Sequence, residues 1–275
     1  MDSLNVCAVC MNSEPGRIDN NLEKIRNFCS RAYLEDVHVI CFPELSVTGY
    51  VLEDPLELIE GFSLDYILKS LQDIAIEFDV IIIAGLIEPH LQKPYITQVI
   101  VGKDGIIGRH RKTHLSPIEK VYQAGDRIEL YKIENFLCGI QLCYETHFPE
   151  LSTIMALMGA EIIFCPHASP RGTTEEKLNS WLRHLTARAF DNSLFIVACN
   201  QVGRTNNFFF PGVALVIDPL GKVKTSLLVE KEDMLITSIK KEEILSIRNH
   251  KMRYFLPFRR PELYKPLVKK EKASL

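Results

Sequence analysis

Phe136-Leu137-Cys138-Gly139-Ile140-Gln141-Leu142-Cys143-Tyr144-Glu145-Thr146-His147-Phe148-Pro149-Glu150 runs from an apolar strand into one cysteine, then a polar turn, then a helix start. Proline followed by an acid marks the first turn of a helix, so Cys143 is expected on the last residue of a strand, at the elbow before a helix. Free N–H groups at a nearby helix start favour thiolate over thiol, which would make this cysteine a nucleophile. The plainer reading of the same residue is a small buried apolar side chain.

Upstream, Leu4 to Met11 is an apolar run of strand length. Arg17 to Tyr33 then places Ile18, Leu22, Ile25, Phe28 and Cys29 at helical spacing, and Asp36 to Phe42 is the next strand. This β-α-β unit ends in Pro43-Glu44-Leu45-Ser46. Leu64 to Phe78 reads as a helix and Val80 to Ile87 as a buried strand. Tyr95 to Val101 and Gly105 to Gly108 flank Lys103-Asp104-Gly105 as a hairpin. The second half repeats the pattern: strand Leu137 to Leu142, helix Pro149 to Met158, strand Glu161 to Cys165, helix Thr174 to Phe190 and strand Leu194 to Cys199. Strands Val213 to Ile217, Val223 to Val229 and Leu235 to Ile239 follow, broken by Asp218-Pro219-Leu220-Gly221. Two such halves predict an α/β fold with two sheets packed face to face and helices outside. No linker or composition break separates them, so residues 1–256 are expected to form one domain. Residues 257–275, with six Lys/Arg against two Glu, form a basic tail, either solvated or laid across a partner subunit.

The chain has 275 residues, 47% of them hydrophobic, enough for a sizeable core. A net charge of −3 gives no reason to expect nucleic acid or an anionic membrane as partner, which leaves small molecules. No apolar run is long enough to span a bilayer and Met1-Asp2-Ser3-Leu4 lacks a basic signal start, so a cytoplasmic location is expected. The eight cysteines lie mostly in strand-like runs and read as reduced, buried thiols. Cys7 and Cys10 form a C-x-x-C, but three residues along a strand point to opposite faces, which suits neither zinc nor a redox pair.

Three polar positions each end an apolar strand or follow the hairpin: Glu44, Lys112 and Cys143. A carboxylate, an ammonium and a thiol supply the base, the oxyanion partner and the nucleophile of acyl transfer. A structural ion pair between Glu44 and Lys112 fits the spacing equally well. Phe42-Pro43-Glu44-Leu45-Ser46-Val47-Thr48-Gly49-Tyr50, Arg111-Lys112-Thr113-His114-Leu115 and Cys143-Tyr144-Glu145 with Phe148-Pro149-Glu150 resemble, in order and spacing, the three motifs of the nitrilase superfamily of carbon–nitrogen hydrolases. Ala187 to Asn192, Ala198 to Gly203 and Arg259 to Tyr264 are also family-like, so the resemblance covers nearly the whole chain.

The resemblance implies a four-layer α-β-β-α sandwich, usually dimerised into a longer one, and a Glu-Lys-Cys triad with no metal and no cofactor. Carried onto this sequence, Glu44 is the general base, Lys112 the oxyanion stabiliser and Cys143 the nucleophile. Glu119 is the second glutamate, holding Lys112 and the substrate nitrogen; its plainer reading is a loop surface charge. Tyr50, Tyr144, Glu145, His147, His167 and Arg171 are candidate substrate contacts. His147 either enters the pocket or merely leads the helix. Arg171, on the loop Pro166 to Gly172, either clamps a substrate carboxylate or is solvated. His110 and His114 read as packed or hydrogen-bonded rather than as metal ligands. Trp181 and Arg188, seven apart, mark a packed helix face with a charged rim. Many amidase branches have aspartate where this chain has Glu145, and nitrilases often have tryptophan where it has Tyr144. Phe148-Pro149-Glu150 resembles the amidases. The expected reaction is hydrolysis of a small linear amide, with an N-carbamoyl amine or amino acid and then a nitrile as the alternatives. A non-catalytic binding protein of the same fold is the reading from outside the enzymes.

Overall fold

The computed structural model describes residues 2–205 and 208–268, and in it the apolar runs assemble into two six-stranded mixed sheets. The first contains β1 (Ser3–Cys10), β2 (Val39–Cys41), β3 (Ile81–Glu88), β4 (Tyr95–Gly102), β5 (Gly105–Arg111) and, from the end of the chain, β14 (Asp233–Lys240), in the order β14-β1-β2-β3-β4-β5. The second contains β6 (Tyr131–Ile133), β7 (Phe136–Ile140), β8 (Ile162–His167), β9 (Phe195–Asn200), β12 (Gly212–Ile217) and β13 (Val223–Val229), in the order β13-β12-β9-β8-β7-β6. A separate short pair joins β10 (Gly203–Thr205) to β11 (Phe208–Phe210). In each sheet three central strands run parallel and the outer strands are antiparallel, as expected where helical crossovers build the middle.

Alternation along the strands fixes the layers. In β8 and β9, Ile162, Phe164, Phe195 and Val197 join the core between the sheets, whereas Ile163, Cys165, Ile196 and Ala198 join a second core behind the sheet. That second core is closed by α4 (Pro149–Leu157) and α5 (Thr174–Asn192) through Met155, Trp181, Leu185 and Ala189. The first sheet is covered by α1 (Ile18–Tyr33) and α3 (Leu64–Phe78), whose Ile18, Leu22, Ile25, Ile67 and Leu71 are buried. Each such aliphatic side chain contributes about 1.5–3 kcal/mol on burial. The helix–sheet–sheet–helix order is the expected α-β-β-α sandwich. Thr173 caps α5 by accepting from the Glu176 N–H, and Glu176 returns the bond to the Thr173 N–H.

Local departures have local causes. β2 is only three residues long because the chain leaves the sheet at Phe42-Pro43. The strand before Cys143 ends at Ile140, and Cys143–His147 is a 3-10 turn that precedes α4. Cys143 therefore opens a tight turn instead of closing a strand. The short elements α2 (Pro55–Leu58), α6 (Lys241–Arg248), β10 and β11 carry too few residues to show periodicity. Residues 256–268 form 3-10 turns that each contain a proline, and the rest of the expected basic tail, 269–275, lies outside the described residues. A groove beside these turns is lined by Ile154, Tyr264, Leu267 and Val268. Among the described residues no helix is long and apolar enough to cross a membrane.

One close approach joins β3 to the chain after β2. The Gly85 N–H donates to Ser46 Oγ at 2.9 Å, and the Val47 N–H donates to Gly85 O at 2.8 Å. A Cβ at Gly85 would lie 2.2 Å from Leu45 N and 3.0 Å from the Glu44 carbonyl carbon. Gly85→Ala is therefore expected to push the Glu44 segment off the sheet and cost about 1–3 kcal/mol by overpacking. Urea denaturation checks this, and an unchanged midpoint would show that the segment yields freely.

Candidate active site

Glu44, Lys112, Glu119 and Cys143 converge at one end of the sandwich. Glu44 follows β2, Lys112 follows β5, and Cys143 follows β7. Lys112 is fully buried, and its Nζ donates to Glu44 Oε1 at 2.7 Å and Glu119 Oε1 at 2.8 Å. The second oxygen of Glu44 accepts the Ala168 N–H at 3.0 Å, and the second oxygen of Glu119 accepts the Ser116 N–H at 2.7 Å. Gln201 Nε2 donates to the Glu44 carbonyl at 2.9 Å, tying the end of β9 to the same segment. Glu119 is thus a buried partner of Lys112 and not a loop surface charge.

Two left-handed residues bracket the cluster. Leu45 has φ 55° and Cys143 φ 42°. Neither is glycine, and each such conformation costs on the order of 1–3 kcal/mol unless its surroundings impose it. At Cys143 the turn is imposed by Glu145, whose carboxylate accepts the Leu142 N–H at 2.6 Å, and by Thr146 Oγ1, which donates to Cys143 O at 2.7 Å. All eight cysteines are free, and Cys143 alone is only partly buried.

The electrostatics differ from expectation at the sulfur. Burial pushes the Cys143 thiol well up, Glu44 adds to the rise, and Lys112 opposes it without prevailing. The thiol is thus held up and not drawn towards thiolate as a helix start would do. Burial also raises Glu44, with Lys112 acting against the rise and Glu119 adding to it. Burial disfavours the charge on Lys112, but Glu44, the Cys143 sulfur and Glu119 outweigh it, and the ammonium is held more firmly than usual.

The expected substrate contacts divide. Tyr50 is buried, packs edge-on against Phe208 and Phe210, and is raised first by burial and then by the charges of Glu119, Glu44 and Cys143. Tyr144 is partly exposed beside His147 and Phe148. His167 is buried, stacks on Trp181 at 4.2 Å, bonds Cys165 O through Nδ1 at 2.7 Å, and is kept neutral mainly by burial. His147 is exposed and stacks on His184 at 4.7 Å, leading towards the helix instead of the cluster. Arg171 is exposed and makes its contact through the backbone, donating N–H to Phe209 O at 3.0 Å.

Glu145 differs most from a substrate contact. It is fully buried and accepts from Thr113 N (2.7 Å), Thr113 Oγ1 (2.5 Å) and Leu142 N (2.6 Å), with His110 Nε2 at 2.8 Å. Burial alone would raise it, but His110, Thr113 and the Leu142 amide more than offset that and hold it down to about 2. It clamps the Cys143 turn to the Lys112 segment. His110 is the hydrogen-bonded histidine expected, while His114 stacks on Phe148 at 4.1 Å. Among the described residues no group of acidic, histidine and cysteine side chains is arranged to hold a metal.

A model of the carbon–nitrogen hydrolase family matches residues 5–249. The 2-oxoglutaramate amidase of Bacillus subtilis is 32% identical over 217 residues, covering 76% of this chain and 80% of that protein. A nitrilase of Pyrococcus abyssi is 27% identical over 252 residues, covering 90% and 92%. Among solved structures, an amidase from Nesterenkonia sp. superposes with a TM-score of 0.85 at 20% identity, over 98% of each chain.

The Glu145 clamp yields a signed pH effect. Its carboxyl falls from an ordinary 4.5 to about 2 on folding, so its contribution is fully present above about 4.5 and is lost as pH falls towards 2. That shift corresponds to a few kcal/mol. Glu145→Gln is expected to lower stability at neutral pH and to flatten the loss of stability between pH 4.5 and 2, measured by denaturant midpoints. Equal pH slopes in both proteins would contradict the clamp.

Proposed function

The chain belongs to the carbon–nitrogen hydrolase family, and from that premise we propose that it is a cysteine-dependent amidase cleaving a small linear amide to a carboxylic acid and ammonia. The observation that carries this reading is the buried Lys112 ammonium held by Glu44 and Glu119, with the free thiol of Cys143 within the field of all three.

In this reading Glu44 removes the Cys143 proton as the sulfur attacks the amide carbon. The raised thiol makes a base necessary, since little thiolate exists beforehand. Negative charge moves onto the carbonyl oxygen, where Lys112 and the backbone N–H of Tyr144 stabilise it. Glu119 keeps the ammonium aimed and accepts from the substrate nitrogen. Collapse of the tetrahedral intermediate breaks the C–N bond, and Glu44 returns the proton to the departing ammonia. Water, deprotonated by the same carboxylate, then cleaves the thioester, and the thiol regains its proton.

Amides are favoured over nitriles by the Phe148-Pro149-Glu150 continuation and by the likeness to amidases. Ammonia release from a panel of primary amides, N-carbamoyl compounds and nitriles tests the reading. Turnover is expected with amides and is expected to vanish in Cys143→Ala. Because Glu44 must be ionised to act and burial raises it, kcat/KM should fall with acid at a pH above the ordinary carboxylate range. Turnover confined to nitriles, or an acid limb below pH 4.5, would contradict the reading or its base.

A further inference from the structure

Acyl transfer as proposed above leaves one cation near the sulfur without a task. Lys177 lies on α5, one turn before Trp181, so i,i+4 spacing puts both on the face that closes over His167. Lys177 Nζ donates to Ser169 Oγ at 2.7 Å and to Pro170 O at 3.2 Å. Ser169 follows Ala168, whose N–H holds Glu44, and the Ser169 N–H is itself fixed by Asn200 Oδ1 at 2.8 Å. The ammonium is therefore seated on the loop that positions the proposed base. Burial weakens its basicity while the Cys143 sulfur supports it, and the Lys177 charge in turn draws the Cys143 thiol down.

Lys112 is neutralised by two carboxylates, but among the described residues Lys177 pairs with none. His184 stacks on His147, and Arg188 donates to Thr146 O and His147 O. An ammonium removed partly from water with only neutral oxygens as partners is a costly arrangement unless an anion joins it.

We propose that Lys177 is a specificity residue that receives a carboxylate carried by the amide substrate. An ammonium has three N–H donors. Two are spent on Ser169 and Pro170, and the third fits one oxygen of a monoanion. The substrate class is thus a short amide with a carboxylate a few bonds from the scissile carbonyl. Arg171, the cation that the sequence suggested for this task, is exposed at the far end of the same loop.

This assignment rests on Cys143 as the reacting group, and two measurements separate its failure from that of the amidase reading. Rates of Cys143 alkylation by iodoacetate and by iodoacetamide, followed by mass spectrometry, give a ratio in which the thiol's own acidity cancels. Lys177→Met should lower the iodoacetate/iodoacetamide ratio roughly tenfold, as expected for losing one charge whose field reaches the Cys143 sulfur, and Lys177→Arg should restore most of it. In turnover, the kcat/KM ratio of succinamate to butanamide should fall by about the same factor in Lys177→Met, mainly through KM. An unchanged alkylation ratio, or equal slowing with both reagents, overturns the carboxylate site. A Lys177-dependent alkylation ratio with no primary amide of the panel turned over upholds the site and overturns the amidase reading.

Discussion

A fully buried ammonium between two carboxylates is the interaction on which the rest of the site depends. Removing three charges from water costs several kcal/mol for each, and an apolar replacement of similar volume is often more stable. The fold meets that cost with aimed donors: the Ala168 N–H on Glu44, the Ser116 N–H on Glu119, and Gln201 on the backbone of Glu44. Burial leaves Glu44 more basic than an ordinary carboxylate, with the Lys112 charge opposing that rise and the Glu119 charge adding to it.

The two sheets supply the geometry. Glu44 and Cys143 leave the carboxyl ends of β2 and β7, which lie in the parallel centre of their respective sheets. Strand ends of this kind are where α/β folds gather ligand-binding groups. Each segment then enters a left-handed residue, Leu45 on one side and Cys143 on the other, held by close packing at Gly85 and by the Glu145 carboxylate. The strain sits where the proposed base and nucleophile stand clear of the sheets.

Much of this was legible from residues alone. Helix Leu64–Phe78 is readable to the residue because its apolar periodicity runs unbroken, and strand Val223–Val229 because the turn signal Asp218 to Gly221 precedes it. Glu44, Lys112 and Cys143 stood out because each is polar directly after an apolar run, and the family motifs added Glu119. Tertiary partners were not legible. Glu145 sits in the cysteine motif and reads as a substrate contact, yet its carboxylate is taken up by the local Leu142 N–H and by Thr113 and His110, from a segment that spacing cannot bring to it. The upward push on the Cys143 thiol is not legible in sequence, because a helix start is visible there whereas burial and the Glu44 charge are not. Lys177 gave no signal, since its meaning depends on where the loop after β8 folds back.

The central claim is that Cys143, deprotonated by Glu44, takes up the acyl group. Acid quenching during steady turnover of an amide, followed by peptide mass spectrometry, tests this most directly. The account predicts a peptide containing Cys143 heavier by the acyl group less one hydrogen, the same mass increase for each amide sharing that acyl group, and loss of the adduct on treatment with hydroxylamine. Rapid turnover with an unmodified Cys143 at every quench time, together with undiminished activity in Cys143→Ala, would contradict it.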